Sequence, residues 1–200
     1  MRHIDTATAT SIPYAVAKRF IETWHYSNRM PTGKNICYGW YTEAVSQSFD
    51  DMFLGGLYAV TVYGIGVNPY QAAFLGVENS ELIELKRMAR VEPKIDDLPL
   101  TAFMARCHKQ LKSAGYRYIV TFSDPEHGHN GTIYKAANFH HMGKTNTEWH
   151  LIDEDGVVRH RRYAFRFARR KDISVSQARD LLGLQRHETV PKDRWLLKIP

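Results

Sequence analysis

Cysteine is scarce in this chain. Two occur among 200 residues, Cys37 and Cys107, seventy positions apart. With no Cys-x-x-Cys pair a structural zinc site is not expected, and Cys107, inside a helical pattern, reads as a small core residue. No apolar run approaches the ~20 residues that span a bilayer, so no membrane partner is expected. Met1-Arg2-His3-Ile4-Asp5-Thr6 lacks the apolar core of a signal peptide, and a cytoplasmic location follows as an expectation. There is no internal repeat and no dividing linker, which predicts one domain over residues 1–200. Apolar residues make up 44% of the chain, which excludes a disordered polymer.

Acid is missing from one stretch. The net charge is only +6, but Arg159, Arg161, Arg162, Arg166, Arg169, Arg170 and Lys171 fall within thirteen residues that hold no Asp or Glu. Tyr163, Phe165 and Phe167 are interleaved with them. Read as extended chain, Arg159, Arg161, Tyr163, Phe165 and Phe167 share one face and Arg162 and Arg166 the other. That predicts a half-buried strand with a basic outer edge, continued as a basic tail, suited to track nucleic-acid phosphates. The plainer reading is a solvated basic strand.

The other elements follow from periodicity. Ser11 and Pro13 open a helix with Ala15, Val16, Phe20, Ile21 and Trp24 at helical spacing, ending near His25-Tyr26-Ser27. Strands are expected over Ile36–Tyr41, Phe53–Tyr63 and Glu81–Val91, with a turn at Gly64, Gly66, Asn68 and Pro69. Asp97 is expected to cap a helix bearing Leu100, Phe103, Met104, Cys107 and Leu111, which stops near Gly115. Trp149–Ile152, Asp155-Gly156 and Val157-Val158 spell a hairpin. Ser174 or Ser176 caps a last helix over about 174–184. Helices and strands in this order predict an α/β (α+β) fold with a central mixed sheet flanked by helices.

One segment suggests a site. The apolar run Tyr118–Phe122 reads as a buried strand and leads into Ser123-Asp124-Pro125-Glu126-His127-Gly128-His129-Asn130-Gly131, then a short helix carrying Tyr134. Ionisable groups at the carboxyl end of a strand stand where open α/β sheets bind ligands. The plain readings are a turn begun by Asp124-Pro125, a helix end favoured by His25, and a core aromatic at Tyr134.

With these residues in place, the element order resembles the GNAT acyltransferase fold. Tyr134-Lys135-Ala136-Ala137-Asn138-Phe139 is similar to that superfamily's Tyr-x-x-x-Gly-Phe, with Asn at the left-handed helix end. His25-Tyr26-Ser27, Asp124 and Tyr134 together resemble the phage Mom DNA-modification proteins. The resemblance spans roughly residues 12–165. It implies a bacterial host cell, a phage or prophage gene, and a carbamoylmethyl group added to adenine N6 in DNA as protection against restriction.

The resemblance further implies that His25, Tyr26, Asp124 and Tyr134 form the reaction centre. It also implies acetyl-CoA or another acyl donor at the start of the 97–114 helix. The superfamily's Gly-rich pyrophosphate loop is replaced by Arg90-Val91-Glu92-Pro93-Lys94-Ile95-Asp96-Asp97-Leu98-Pro99. There Pro99 is expected to remove one N–H donor, and Asp96 and Asp97 to repel an anion. Arg87, Arg90 and Lys94, with the backbone at Leu100 and Thr101, are therefore the expected anion contacts. Iron on His25, Tyr26 and Asp124 is implied too, their nitrogen and oxygen donors being suited to it. A homodimer is compatible with the sequence. Two other readings stand beside this one: an ordinary GNAT N-acetyltransferase acting on a protein, RNA or small amine, and an inert nucleic-acid-binding module on the same scaffold.

Overall fold

The computed structural model describes residues 3–43, 56–66, 68, 70–147, 149–160 and 162–199. The elements run α1 (His3–Thr6), β1 (Thr8–Ser11), α2 (Tyr14–Trp24), β2 (Asn35–Tyr41), β3 (Leu57–Gly64), α3 (Gln71–Leu75) and β4 (Leu82–Arg90). They continue as α4 (Leu100–Ser113), β5 (Tyr118–Ser123), α5 (Thr132–Ala136), β6 (His140–Lys144), β7 (Trp149–Ile152) and β8 (Val158–Arg159). The chain closes with α6 (Arg162–Lys171), α7 (Val175–Leu181), β9 (Gln185–Glu188) and β10 (Asp193–Lys198).

Seven strands form the central sheet in the order β1-β2-β3-β4-β5-β10-β6. All neighbours are antiparallel except β4 and β5. That parallel pair needs a crossover, and α4 supplies it. Its register covers Leu82–Glu84 against Tyr118–Val120 alone. Beyond it, β4 runs on to Arg90 and β5 to Ser123 without pairing to each other, so the sheet opens between their carboxyl ends. A register shift in β4, opposite Val62 and Tyr63, adds to the divergence.

A second sheet, β8-β7-β9, belongs to an excursion over residues 145–192 that leaves after β6 and returns at its neighbour β10. The two ends of the excursion are joined: Thr145 N–H donates to Lys192 O at 2.8 Å, and Lys192 N–H to Thr145 Oγ1 at 3.0 Å.

The core lies on both faces of the main sheet. On one, α4 buries Phe103, Met104, Cys107 and Leu111 against Ile83, Leu85, Ile119 and Leu197, with Trp40 stacked on Phe103 at 5.3 Å. On the other, Ala17, Phe20 and Ile21 of α2 pack on Val60, Val62 and Ala89. A fully buried side chain of this kind contributes about 1.5–3 kcal/mol. A small third cluster, Leu151, Ala164 and Leu184, holds the excursion together.

Three sequence expectations are corrected. The basic segment is not a strand beyond Arg159: residues 162–171 form α6. The positions it buries are Ala164 and Ala168, four apart, and not the alternating aromatics; small side chains let the helix close on its neighbours. Ser11 does not cap α2. It pairs with Tyr38 in β1, and Pro13 occupies the cap. Asp97 does not cap α4 either; Pro99 does, and Asp97 Oδ2 accepts the His3 N–H at 2.7 Å. The 149–158 hairpin and Ser174 as cap of α7 agree with expectation, the latter completed by Gln177 in a capping box. Phe53, Pro69 and Arg161 lie outside the described residues.

Candidate active site

His25 ends α2 and is 7% exposed. Its Nδ1 accepts the Ser27 N–H at 3.1 Å and lies 2.8 Å from Ser27 Oγ. Burial, then Arg87 and the nearby His129 and His127, bring its pKa down to about 4, so the ring is neutral at physiological pH. Tyr26 follows with its ring 4.2 Å from His25, 4.2 Å from His127 and 4.9 Å from His129, centroid to centroid. Partial burial and the neighbouring Asp124 push its phenol above the ordinary range.

From the far side, β5 delivers Asp124, 6% exposed, into a one-turn helix over residues 125–127. Asp124 Oδ1 accepts the Glu126 N–H at 3.2 Å, and Oδ2 is paired with Lys192 Nζ. The chain then turns at Gly131, φ 75°, to start α5. Tyr134 of α5 packs on Phe139 and Trp195, at 5.6 and 6.1 Å between ring centroids. Burial raises its phenol pKa, opposed by a hydrogen bond with Thr121. Asn138 takes the left-handed conformation, φ 63°, and Phe139 N–H closes back on Tyr134 O at 2.9 Å, as the hexapeptide ending in Phe139 led one to expect.

His25, Tyr26 and Tyr134 line one cavity of about 310 Å³ in the opening between β4 and β5, together with Arg87, Thr121 and His129. Asp124 borders an adjoining cavity of about 620 Å³, and Phe122 lines both. Tyr134 is a phenol held protonated, fit to give a proton. His25 is an imidazole held neutral; with Nδ1 accepting from Ser27, its Nε2 carries the proton and can donate.

Arg87 therefore stands at this centre and not with the other expected anion contacts. Arg90, Lys94 and Leu100 border a separate cavity of about 260 Å³ at the start of α4, where Thr101 follows in the first turn. Arg90 is bound to Glu92 at 2.9 Å, and its Nη1 is buried with no partner among the described residues. Because Pro99 is the cap, it removes none of the first-turn N–H groups that an anion would use. Lys94 pairs with Asp96 at 3.2 Å, whereas Asp97 keeps its charge and accepts the His3 backbone N–H.

Iron has no support in the donors as placed. Among the described residues no group of three or more His, Cys, Asp or Glu converges on a metal position. His25 Nδ1 is committed to Ser27 and the Asp124 carboxylate to Lys192.

The basic residues sit apart, on α6. At 100° per residue Arg162, Arg166, Arg169 and Arg170 fall within about 100° of arc, all exposed, with the exposed Tyr163 and Phe165 at its margins. Arg159 lies over the Tyr163 ring at 5.3 Å. Lys171 extends the charge at the last turn. No helix among the described residues is long and apolar enough to cross a membrane.

Sequence reasoning missed Lys192 and Trp195 as parts of the site, and quoted Ser27 in the His25-Tyr26-Ser27 motif without giving it a role. Trp195 donates Nε1–H to Ser123 Oγ at 2.9 Å and walls Tyr134. The alternation of Trp195 and Leu197 was the available signal for β10; for Lys192 none exists short of the fold.

Two buried histidines give the fold an acid limit. Burial sets both His25 and His108 at about 4, below the 6.5 of the unfolded chain. Unfolded chains then bind protons that the native state refuses, so stability is full above about pH 6.5 and falls as pH drops toward 4. The loss expected is on the order of a few kcal/mol. Urea melts at pH 7 and pH 4.5 measure it; replacing His108 by Gln should flatten the slope.

No curated protein sequence matches this chain significantly. Solved acetyltransferases share its fold. The spermidine N-acetyltransferase of Vibrio cholerae, in complex with CoA and spermine, superposes with TM-score 0.51 at 8% identity, covering 98% of this chain and 96% of that one. The IAA acetyltransferase of Bacillus cereus gives 0.51 at 10%, over 96% and 99%. The ribosomal-protein-S18-alanine N-acetyltransferase of Escherichia coli gives 0.50 at 10%, over 96% and 94%. The fold is thus that of the GNAT acetyltransferases. The Mom protein family matches residues 6–195.

Proposed function

The chain belongs to the Mom protein family, and from that membership and the site geometry we propose that it is a transferase that modifies the exocyclic N6 of adenine in DNA. The observation that carries this reading is the convergence of neutral His25, Tyr26 and protonated Tyr134 on one cavity where β4 and β5 part. The donor is an acyl-CoA-type thioester, and it supplies a two-carbon unit activated on sulfur. Arg90, Lys94 and the first-turn N–H groups at Leu100 and Thr101 hold its phosphates. Tyr134 protonates the departing thiolate. Asp124, anchored by Lys192, takes a proton from the incoming amine, and His25, whose Nδ1 is held by Ser27, presents Nε2–H to orient the acceptor.

Acyl transfer by these steps joins N6 to the carbonyl carbon and gives the N6-acetyl adduct. The carbamoylmethyl adduct expected of a Mom relative joins N6 to the methylene. It forms if the donor carries its two-carbon amide on sulfur through that methylene, N6 displacing the thiolate that Tyr134 protonates. Nucleosides digested from plasmid DNA of cells expressing the chain should contain a deoxyadenosine about 57 Da heavier, absent with Asp124→Ala. A species about 42 Da heavier would mean plain acetylation of the base. An unmodified deoxyadenosine pool beside a folded protein would overturn the reading in favour of another amine.

The arginine face of α6 supports DNA as the partner, through its phosphates. Replacing Arg162, Arg166, Arg169 and Arg170 by Ala should weaken duplex binding and flatten the plot of log K against log salt. The slope changes by about 0.9 for each phosphate that is no longer neutralised. An unaltered slope would remove α6 from the interface.

A further inference from the structure

The cavity of about 620 Å³ beside Asp124 is not used by the steps above. Its floor is the main sheet. Glu84, Phe122 and Arg194 stand on one face of three adjacent strands, because Glu84 pairs with Val120 and Phe122 with Arg194. Gln71 of α3 closes one side and the excursion closes the other.

Gln71 is the telling residue. It is 6% exposed, and its Nε2 is buried with no hydrogen-bond partner among the described residues. A buried amide donor left unmade costs stability, and it is tolerated where a ligand brings the acceptor. Glu84 beside it is pushed toward its neutral form by burial. The Phe122 ring gives an aromatic wall, with the Arg194 guanidinium 5.9 Å from its centroid. At the Gln71 end of the cavity a neutral amide donor, a carboxyl biased toward neutrality and a ring wall suit a flat heterocycle carrying ring-nitrogen acceptors, while Asp124, Glu126, Lys192 and Arg194 bring charge of both signs to the rest of the lining. The volume falls in the range of small-ligand pockets.

We propose that this cavity is the acceptor subsite, which receives an adenine extruded from the duplex, with Gln71 donating Nε2–H to a ring nitrogen and Phe122 stacking on the base. The assignment rests on the DNA-adenine reading above and adds the residue that selects the base. Chemistry on a duplex base requires such a pocket outside the helix, since the target atom is out of reach in the stack. Phe122 borders both cavities, so a base held there lies next to the Tyr134 centre.

Two measurements test it. The first is the yield of modified deoxyadenosine in cells expressing wild type or Gln71→Leu, with the duplex affinity of each purified protein measured alongside. The second is the side-chain amide signal of Gln71 in ¹⁵N-labelled wild type, identified by its loss in Gln71→Leu, during titration with deoxyadenosine monophosphate. The expected result is a yield lower by about tenfold to hundredfold at unchanged duplex affinity, and a saturable shift of the Gln71 amide. A Gln71→Leu yield within twofold of wild type would overturn the subsite and leave the proposed reaction standing. If wild type makes no modified base, a shifted Gln71 amide still supports the subsite while the reaction reading falls; an unmoved amide sinks both. Should Gln71→Leu fail to fold, the wild-type titration decides alone, with the Gln71 signal assigned by triple resonance.

Discussion

Tyr134→Phe should lower the rate of base modification by about 10²- to 10⁴-fold, the usual worth of a positioned general acid, while the melting temperature barely moves. The ring is what the fold uses. It packs on Phe139 and Trp195, and phenylalanine keeps those contacts. The hydroxyl is what the reaction uses. Its pKa is raised by burial, so it stays protonated through neutral pH and has a proton to give. A single-turnover assay with the donor in excess isolates this step. Activity within threefold of wild type would assign the proton to another group, with Tyr26, also raised, next in position.

The largest effect on stability is expected at Gly131. A Cβ built there would lie 2.1 Å from Trp195 Cζ2 and 2.5 Å from Cε2, at a φ of 75°. Trp195 has no room to withdraw: it is 3% exposed and held through Nε1 to Ser123. Gly131→Ala combines left-handed strain with overpacking and should cost roughly 2–5 kcal/mol. Gly128 is the control. It has a similar φ of 72° but nothing within 4 Å of its Cβ position, so Gly128→Ala should show only the backbone part, about 1–2 kcal/mol. Denaturant melts followed by tryptophan fluorescence compare the two. Equal losses would mean that the indole yields and that the steric account is wrong.

Where one local force dominates, the sequence was legible. The buried strands β2, β4 and β5, helix α4 and the turn at Asn138 follow from apolar runs, helical spacing and left-handed tolerance. The grouping of His25, Tyr26 and Tyr134, which line one cavity, came from the family resemblance and not from any local force. Segments with two competing periods misled. Tyr163, Phe165 and Phe167 alternate as a strand would, yet Ala164 and Ala168 decide for a helix, because close packing needs small side chains and the arginines tolerate either form. Strands β6 and β10 were missed altogether. His140–Lys144 is exposed along its length, and Asp193–Lys198 gains its central place only through long-range pairing with β5. Lys192 and Gln71 carry no local signal; their significance comes from what the folded chain sets beside them.

The excursion enters and leaves through adjacent strands, and its ends are stitched together at Thr145 and Lys192. The sheet needs only that the two ends meet, and the cost of closing a longer or shorter loop between them grows slowly with its length. The intervening module can therefore change in length without rebuilding the sheet that carries it. Its returning end is also its tether to the candidate site: Lys192 grips Asp124, and Glu126 takes the Val190 N–H at 3.2 Å.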